Sequence, residues 1–171
     1  LRGLPEGAVR CVGTSALRVA KNAGAFLERA EAALGFPIEI IAGREEARLI
    51  YLGVAHSLPP SNGRRLVVDI GGGSTECIIG RGLKQTRRES LLMGCVNFSL
   101  RFFPGGRLEK AAMKEAELEA RLIAQGIEAD FDRQHWDEAI GSSGSIRAVA
   151  DILEANGWSQ GITPEGLALL R

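Results

Sequence analysis

Short runs of β-branched apolar residues, set off by glycine-rich or polar breaks, alternate along this chain with longer segments in which apolar residues recur every three or four positions. The short runs predict strands over Val9 to Gly13, Pro37 to Ile41, Leu66 to Ile70, Thr75 to Ile79, about Thr86 to Met93, and Glu138 to Gly141. The longer segments predict helices from Ala16 to about Leu34, Arg44 to about Ala55, Asn97 to Phe103, Leu108 to about Ala129 and Ile146 to about Ala155. Thr163-Pro164, a cap followed by proline, opens a last helix. In the first helix Ala16, Val19, Ala20, Ala23, Phe26, Leu27, Ala30 and Leu34 form a stripe expected to be buried. Leu108, Ala111, Ala112, Leu118, Leu122 and Ile123 form another, read as core packing.

The order of elements sets the fold class. From Leu66 onward, three strands can pair as consecutive hairpins, followed by a helical crossover, a strand and a helix. That is an α/β fold on a mixed sheet, part antiparallel and part parallel. Residues before about Ile50 add strand, helix, strand, helix, as the tail of a preceding domain would, with a site expected between the two pieces.

The chemistry gathers where Leu66-Val67-Val68-Asp69-Ile70 runs into Gly71-Gly72-Gly73-Ser74 and out through Thr75-Glu76-Cys77-Ile78-Ile79. No lysine follows the glycines as a Walker loop requires, and the next residues are strand-like, so the glycines form the tip of a hairpin. Glycines able to adopt positive φ let backbone N–H groups converge on an anion, and a phosphate is the expected one. Asp69 beside the tip is a hard oxygen ligand suited to a magnesium ion carried by that phosphate. Arg18, in the first turns of the predicted first helix and off its apolar stripe, is a candidate phosphate contact or a solvated cation. Glu45 and Glu46 point about 100° apart on their helix. Leu49, Ile50 and Gly53 mark the buried side, which makes Glu46 the inner carboxylate and a candidate general base, or else a partner of the helix dipole. Ser142-Ser143-Gly144-Ser145, at a strand-to-helix turn, offers a second set of N–H groups for an anion or a plain cap.

Composition narrows the partners. Among 171 residues, 21 basic and 21 acidic side chains cancel, so no global basic field points to nucleic acid or an anionic membrane. No apolar run reaches the roughly 18 residues of a membrane span. Cys11, Cys77 and Cys95 are dispersed and odd in number, which fits a reducing cytoplasm, and neither histidine has zinc-ligand spacing. The chain starts on leucine and stops inside a predicted helix, so a fragment of a longer soluble, cytoplasmic protein is expected.

Thr14-Ser15-Ala16-Leu17-Arg18, Glu39 through Ile50, Asp69 through Glu76, Met93-Gly94-Cys95-Val96 and Gly141-Ser142-Ser143-Gly144 together resemble the exopolyphosphatase and guanosine pentaphosphate phosphohydrolase family. That family belongs to the superfamily of actin, the heat-shock chaperones and the sugar kinases. The resemblance implies ribonuclease-H-like, actin-like domains around a cleft, with residues 1–49 ending the first and 50–171 forming most of the second. It implies Mg2+-dependent release of terminal phosphate from inorganic polyphosphate, or of the 5′-phosphate of guanosine pentaphosphate, by a protein expected to dimerise when whole. By position, Glu46 and Glu76 match the catalytic carboxylates and Asp69 with Glu76 the metal ligands. Arg18, Gly71, Gly72, Gly73, Ser74, Thr75, Ser143 and Gly144 match the phosphate contacts. Phe103-Pro104-Gly105-Gly106 resembles the exopolyphosphatase branch. A superfamily kinase and a non-catalytic phosphate-binding module are the rival readings. The family's first phosphate loop, Asp-x-Gly-Ser-Asn-Ser, has no counterpart in this sequence and its C-terminal helical part is missing, so the segment alone is expected to turn over little or no substrate.

Overall fold

The computed structural model describes residues 3–170. Two short parallel strands, β1 (Cys11–Gly13) and β2 (Ile38–Ile40), are linked by helices α1 (Ser15–Val19) and α2 (Ala23–Leu34). Helix α3 (Gly43–Ser57) then leads into β3 (Arg65–Ile70), β4 (Thr75–Arg81) and β5 (Lys84–Leu91), which pair antiparallel in succession. Helices α4 (Cys95–Phe102), α5 (Lys110–Gln125) and α6 (Glu128–Phe131) carry the chain to β6 (Glu138–Ser142), which lies parallel to β3. Helices α7 (Ser143–Ala155) and α8 (Pro164–Leu169) close the described chain. The spatial order β5-β4-β3-β6 is the mixed sheet expected from the sequence.

The core follows from the two faces of that sheet. Val67 lies opposite Ile78 and Ile140, and residues directly opposite one another share a face. This face packs against Ala47 and Tyr51 of α3, and Val67, Ile78, Ala47 and Tyr51 are fully buried. Burial of each large apolar side chain here contributes about 1.5–3 kcal/mol. Gly80 makes room for Tyr51, whose ring a Cβ at that position would approach to 2.5 Å, and the Tyr51 hydroxyl donates to the Gly82 carbonyl at 3.0 Å. One residue along, Val68 sits opposite Gly141, on the other face, where a side chain would collide with Ile146 of α7.

Several expectations need correcting. The first long helix is two helices. Ala20 turns extended (ψ 124°) and Asn22 caps α2, so the chain is non-helical across residues 20–22. No glycine or proline marks that break, and the apolar periodicity runs through it. The stripe is not buried either: α2 has no buried residue, with Val19 64% and Phe26 52% exposed. The α5 stripe likewise leaves Leu108, Leu118 and Leu122 exposed, and Ala116 is the buried residue instead. Periodicity identifies an apolar side but not whether another element covers it. The predicted Leu108 to Ala129 helix is divided at Gly126-Ile127 into α5 and α6. In α3 the innermost positions are Ala47 and Tyr51, while Gly53 is exposed. No helix among the described residues is long and apolar enough to cross a membrane.

Candidate phosphate site at the glycine turn

Six residues of β3 and the start of β4 deliver the glycines to one end of the sheet. Ile70 pairs with Thr75, leaving Gly71 to Ser74 as the tip, closed by the Gly71 N–H donating to the Ser74 carbonyl at 2.9 Å. The N–H groups of Gly72, Gly73 and Ser74 have no acceptor among the described residues. Free donors at a buried-to-exposed rim are what an anion requires.

The glycines serve a different need from the one anticipated. None of the three has positive φ. What they provide is space: a Cβ on Gly73 would lie 2.8 Å from Ser15 Oγ, and one on Gly72 would lie 3.3 Å from Val96 Cγ2. The tip is wedged between the start of α1 and the start of α4, and a side chain at Gly72 or Gly73 would have to displace Val96 or Ser15. From the α4 side, the N–H groups of Cys95 and Val96 donate to the carbonyls of Gly71 and Gly72, both at 2.9 Å. Asn97 donates its own N–H to the Gly72 carbonyl and its amide to the Gly73 carbonyl, while its Oδ1 accepts from the Gly94 N–H at 2.8 Å. These bonds engage the carbonyls of the turn and hold its amides facing away from α4. Thr75 is buried, its hydroxyl donating to the Met93 carbonyl at 2.7 Å, so it fastens the tip to the segment after β5.

A row of side chains crosses the sheet just below the tip. Ser90 of β5 is opposite Glu76 of β4, Glu76 opposite Asp69 of β3, and Asp69 opposite Ser142 of β6. All four therefore share the face toward α3. Ser90 Oγ donates to Glu76 Oε1 at 2.7 Å, and Gly43 at the start of α3 leaves room for Ser90, which a Cβ would meet at 2.5 Å. Glu76 is 1% exposed. Burial raises its carboxyl above the ordinary range; hydrogen bonds from Ser90 and Ser74 oppose this, and the charges of Glu46 and Asp69 add to it.

Glu46 reaches the same region from α3. Its side chain is 15% exposed against 31% for Glu45, which is taken up by Arg48 at 2.7 Å and Arg10 at 3.7 Å. Glu46 is thus the inner carboxylate, as its helical position implied. Arg18 donates to Glu46 Oε2 at 3.0 Å and to the Ile41 carbonyl at 2.8 Å. It lies in the last turn of the five-residue α1, not near the start of a long helix, so its place owes nothing to a helix N-terminus. Ser143 begins α7 with φ +85°, uncommon for a residue with a side chain, and its hydroxyl donates to the Ile70 carbonyl at 2.9 Å. That bond draws the Ser143-Gly144 turn against the end of β3. Arg18, Glu46, Asp69, Glu76, the glycine tip and the Ser143 turn therefore occupy one end of one sheet. Ser90 and Asn97 were missed as members, and Ser15 and Gly94 were quoted within motifs but given no role; a hydroxyl at a strand end or an asparagine after a turn carries no signal until its neighbour is known.

Such a site defines an α/β domain that gathers unpaired backbone donors and clustered carboxylates at one end of its sheet. The chain belongs to the Ppx/GppA phosphatase family, which it matches over residues 1–170. An exopolyphosphatase-like protein of solved structure is 29% identical with a TM-score of 0.78, over 85% of this chain and 47% of that one. The Aquifex aeolicus Ppx/GppA family member is 34% identical with a TM-score of 0.64, over 92% of this chain and 49% of its own. An exopolyphosphatase from Cytophaga hutchinsonii is 26% identical with a TM-score of 0.76, over 92% and 51%. The chain thus spans about half the length of these proteins, and it shares their α/β fold over that half.

Proposed function

We propose that the protein to which this chain corresponds hydrolyses a terminal phosphoric anhydride, with inorganic polyphosphate as its substrate. One observation carries the reading: three unspent N–H groups at Gly72, Gly73 and Ser74 stand beside a carboxylate row that includes a buried glutamate. The donors would take the oxygens of the terminal phosphoryl group and neutralise charge that grows on them during attack. Glu46 would accept a proton from the attacking water, a role typically worth about 10²–10⁴ in rate. Arg18 would hold Glu46 in place and keep its charge balanced until the substrate's own oxygens compete for the guanidinium.

The residues fit a magnesium ion. Asp69 and Glu76 supply hard oxygens from opposed strand positions, and the like-charge crowding of Glu46, Asp69 and Glu76 against one arginine is what a divalent cation relieves. No group of three acidic, histidine or cysteine side chains among the described residues is arranged to hold a metal, so the remaining ligands would be phosphate oxygens and water, as is usual for this ion. When bound, magnesium would supply charge neutralisation for the phosphates.

The test uses the whole polypeptide. Glu46→Gln should lower phosphate release from polyphosphate by at least about 10²-fold while binding is retained. Release at near-normal rate removes Glu46 from the chemistry. Measuring release from guanosine pentaphosphate alongside it decides the substrate, and faster release from that nucleotide overturns the polyphosphate assignment.

A further inference from the structure

The end of the sheet away from the glycine turn carries a concentration of positive charge. From Thr75 at the tip, β4 runs six residues to Arg81, about 20 Å at the usual strand rise. There β4 and β5 join through Arg81, Gly82, Leu83 and Lys84, with Gly82 at φ +55° making the tight bend. Beside this bend opens a cavity of about 410 Å³ whose lining includes Arg64, Arg81, Lys84, Arg87 and His135.

Two carboxylates answer four permanent cations. Asp137 pairs with Arg64 at 2.9 Å, and Asp130 with Arg87 at 3.2 Å. The side chains of Arg81 and Lys84 make no hydrogen bond or salt bridge among the described residues; Arg81 adds only a longer-range attraction that helps Arg64 hold the Asp137 carboxyl well below its usual range. These residues carry an excess of positive charge around a concavity whose wall is mostly apolar, and an anion is favoured beside it. Arg64 and Arg87 are held by their carboxylates, which leaves the planar fork of Arg81, able to meet two phosphate oxygens at once, and the ammonium of Lys84 available to an anion.

We propose that this cavity is a second anion site, separate from the glycine turn, that takes the phosphate chain of a polyphosphorylated ligand. It stands whether or not the glycine turn hydrolyses anything. The chain of phosphates could belong to free inorganic polyphosphate or to a nucleoside polyphosphate, and both present the same consecutive oxygens to Arg81 and Lys84.

Amide shifts of the 15N-labelled 171-residue chain, followed during titration with inorganic tripolyphosphate and separately with GTP, test the proposal. The amides of residues 80–87 and of His135 should shift and saturate. In Arg81→Ala/Lys84→Ala those shifts should require at least roughly tenfold more ligand, while any shifts at 71–74 keep their wild-type midpoint. Both side chains are unpartnered at an exposed turn, and Arg81→Gln/Lys84→Gln repeats the loss of charge with the side-chain bulk kept. Tighter binding of tripolyphosphate assigns the site to the free chain; tighter binding of GTP assigns it to a nucleotide. Absence of shifts at 80–87, shifts that persist unchanged in both double variants, or equal shifts produced by sodium chloride at matched ionic strength would each overturn it.

Discussion

Gly94 is the position where the architecture of the site is most open to test, because what it touches is backbone. Its φ and ψ (−158°, 164°) are extended and available to any residue, so replacing it creates no conformational strain. A Cβ there would lie 2.5 Å from the Gly72 carbonyl carbon and 2.6 Å from the carbonyl oxygens of both Gly71 and Gly72. None of these atoms is the free end of a side chain, so Gly94→Ala must push the glycine tip away from α4. Overpacking costs about 1–3 kcal/mol. The same shift lengthens the bonds from Cys95, Val96 and Asn97 to those carbonyls, each worth about 0.5–1.5 kcal/mol. We expect a loss of about 3 kcal/mol, seen as a lower urea midpoint with unchanged slope and a Tm lower by about 6–12 °C. Phosphate binding at the tip should fall with it. Gly82→Ala is the contrasting variant: at φ +55° with open space around it, it costs only the left-handed penalty of about 1–2 kcal/mol and leaves the tip untouched. A loss below about 0.5 kcal/mol in Gly94→Ala would show that α4 does not brace the turn and that the argument for held amides is wrong.

Gly53, inside α3 with open space around it and exposed, gives the opposite sign: Gly53→Ala should stabilise by about 0.5–1 kcal/mol in the same urea titration, and a loss would place an unseen neighbour there. Glu76, whose folded carboxyl is raised first by burial, favours the folded state most when protonated, so its contribution is full below its ordinary value of 4.5 and is lost as pH rises through the raised one. Glu76→Gln should accordingly flatten the fall in stability between pH 4.5 and neutrality, and an unchanged pH profile would exclude that coupling. Millimolar magnesium should restore stability at pH 7 to the parent chain and not to Glu76→Gln, read as a Tm difference; an equal rise in both would place the ion elsewhere. Cys95 is exposed while Cys77 is buried, its thiol pushed up to about 11 by burial and then by Glu76. Mass mapping after brief thiol alkylation at pH 8 should therefore find Cys95 modified and Cys77 intact until the chain unfolds; early modification of Cys77 would contradict its burial.

How much of this was legible in the sequence depends on the range of the interaction concerned. The hairpin was legible because alternation, glycines and β-branched residues are local, and the parallel return of β6 followed from one helical crossover. The inner position of Glu46 was legible from helical geometry alone, although the neighbours chosen to argue it were imperfect, since Gly53 is exposed and Tyr51 is the buried anchor. What could not be read was which partner each group meets. Arg18 looked like a residue waiting for an anion, and its guanidinium is taken up by Glu46 and the Ile41 carbonyl. The glycines looked like a need for positive φ, and they turn out to be a need for room beside Ser15 and Val96, residues distant in sequence from the tip. The apolar stripes of α2 and α5 were real as patterns, yet a pattern does not specify its cover.

The carboxylate row explains why two of these misreadings, of Arg18 and of the glycines, share one location. A sheet end that must hold Glu76 nearly free of water beside Asp69, with Glu46 approaching from α3, gathers three like charges against the single guanidinium of Arg18. Folding alone would relieve that crowding most simply by replacing one carboxylate with an apolar residue, since buried charges seldom return their desolvation cost in stability. The chain instead invests Ser90, Ser74, Gly43 and Arg18 in keeping the carboxylates in place. An arrangement that opposes stability and is nonetheless braced from β5, the tip and two helices is the kind that something positively charged and something that accepts hydrogen bonds from the glycine tip would complete. The proposed cation and phosphate would meet both needs at once, and either one alone would leave the other half of the site unbalanced.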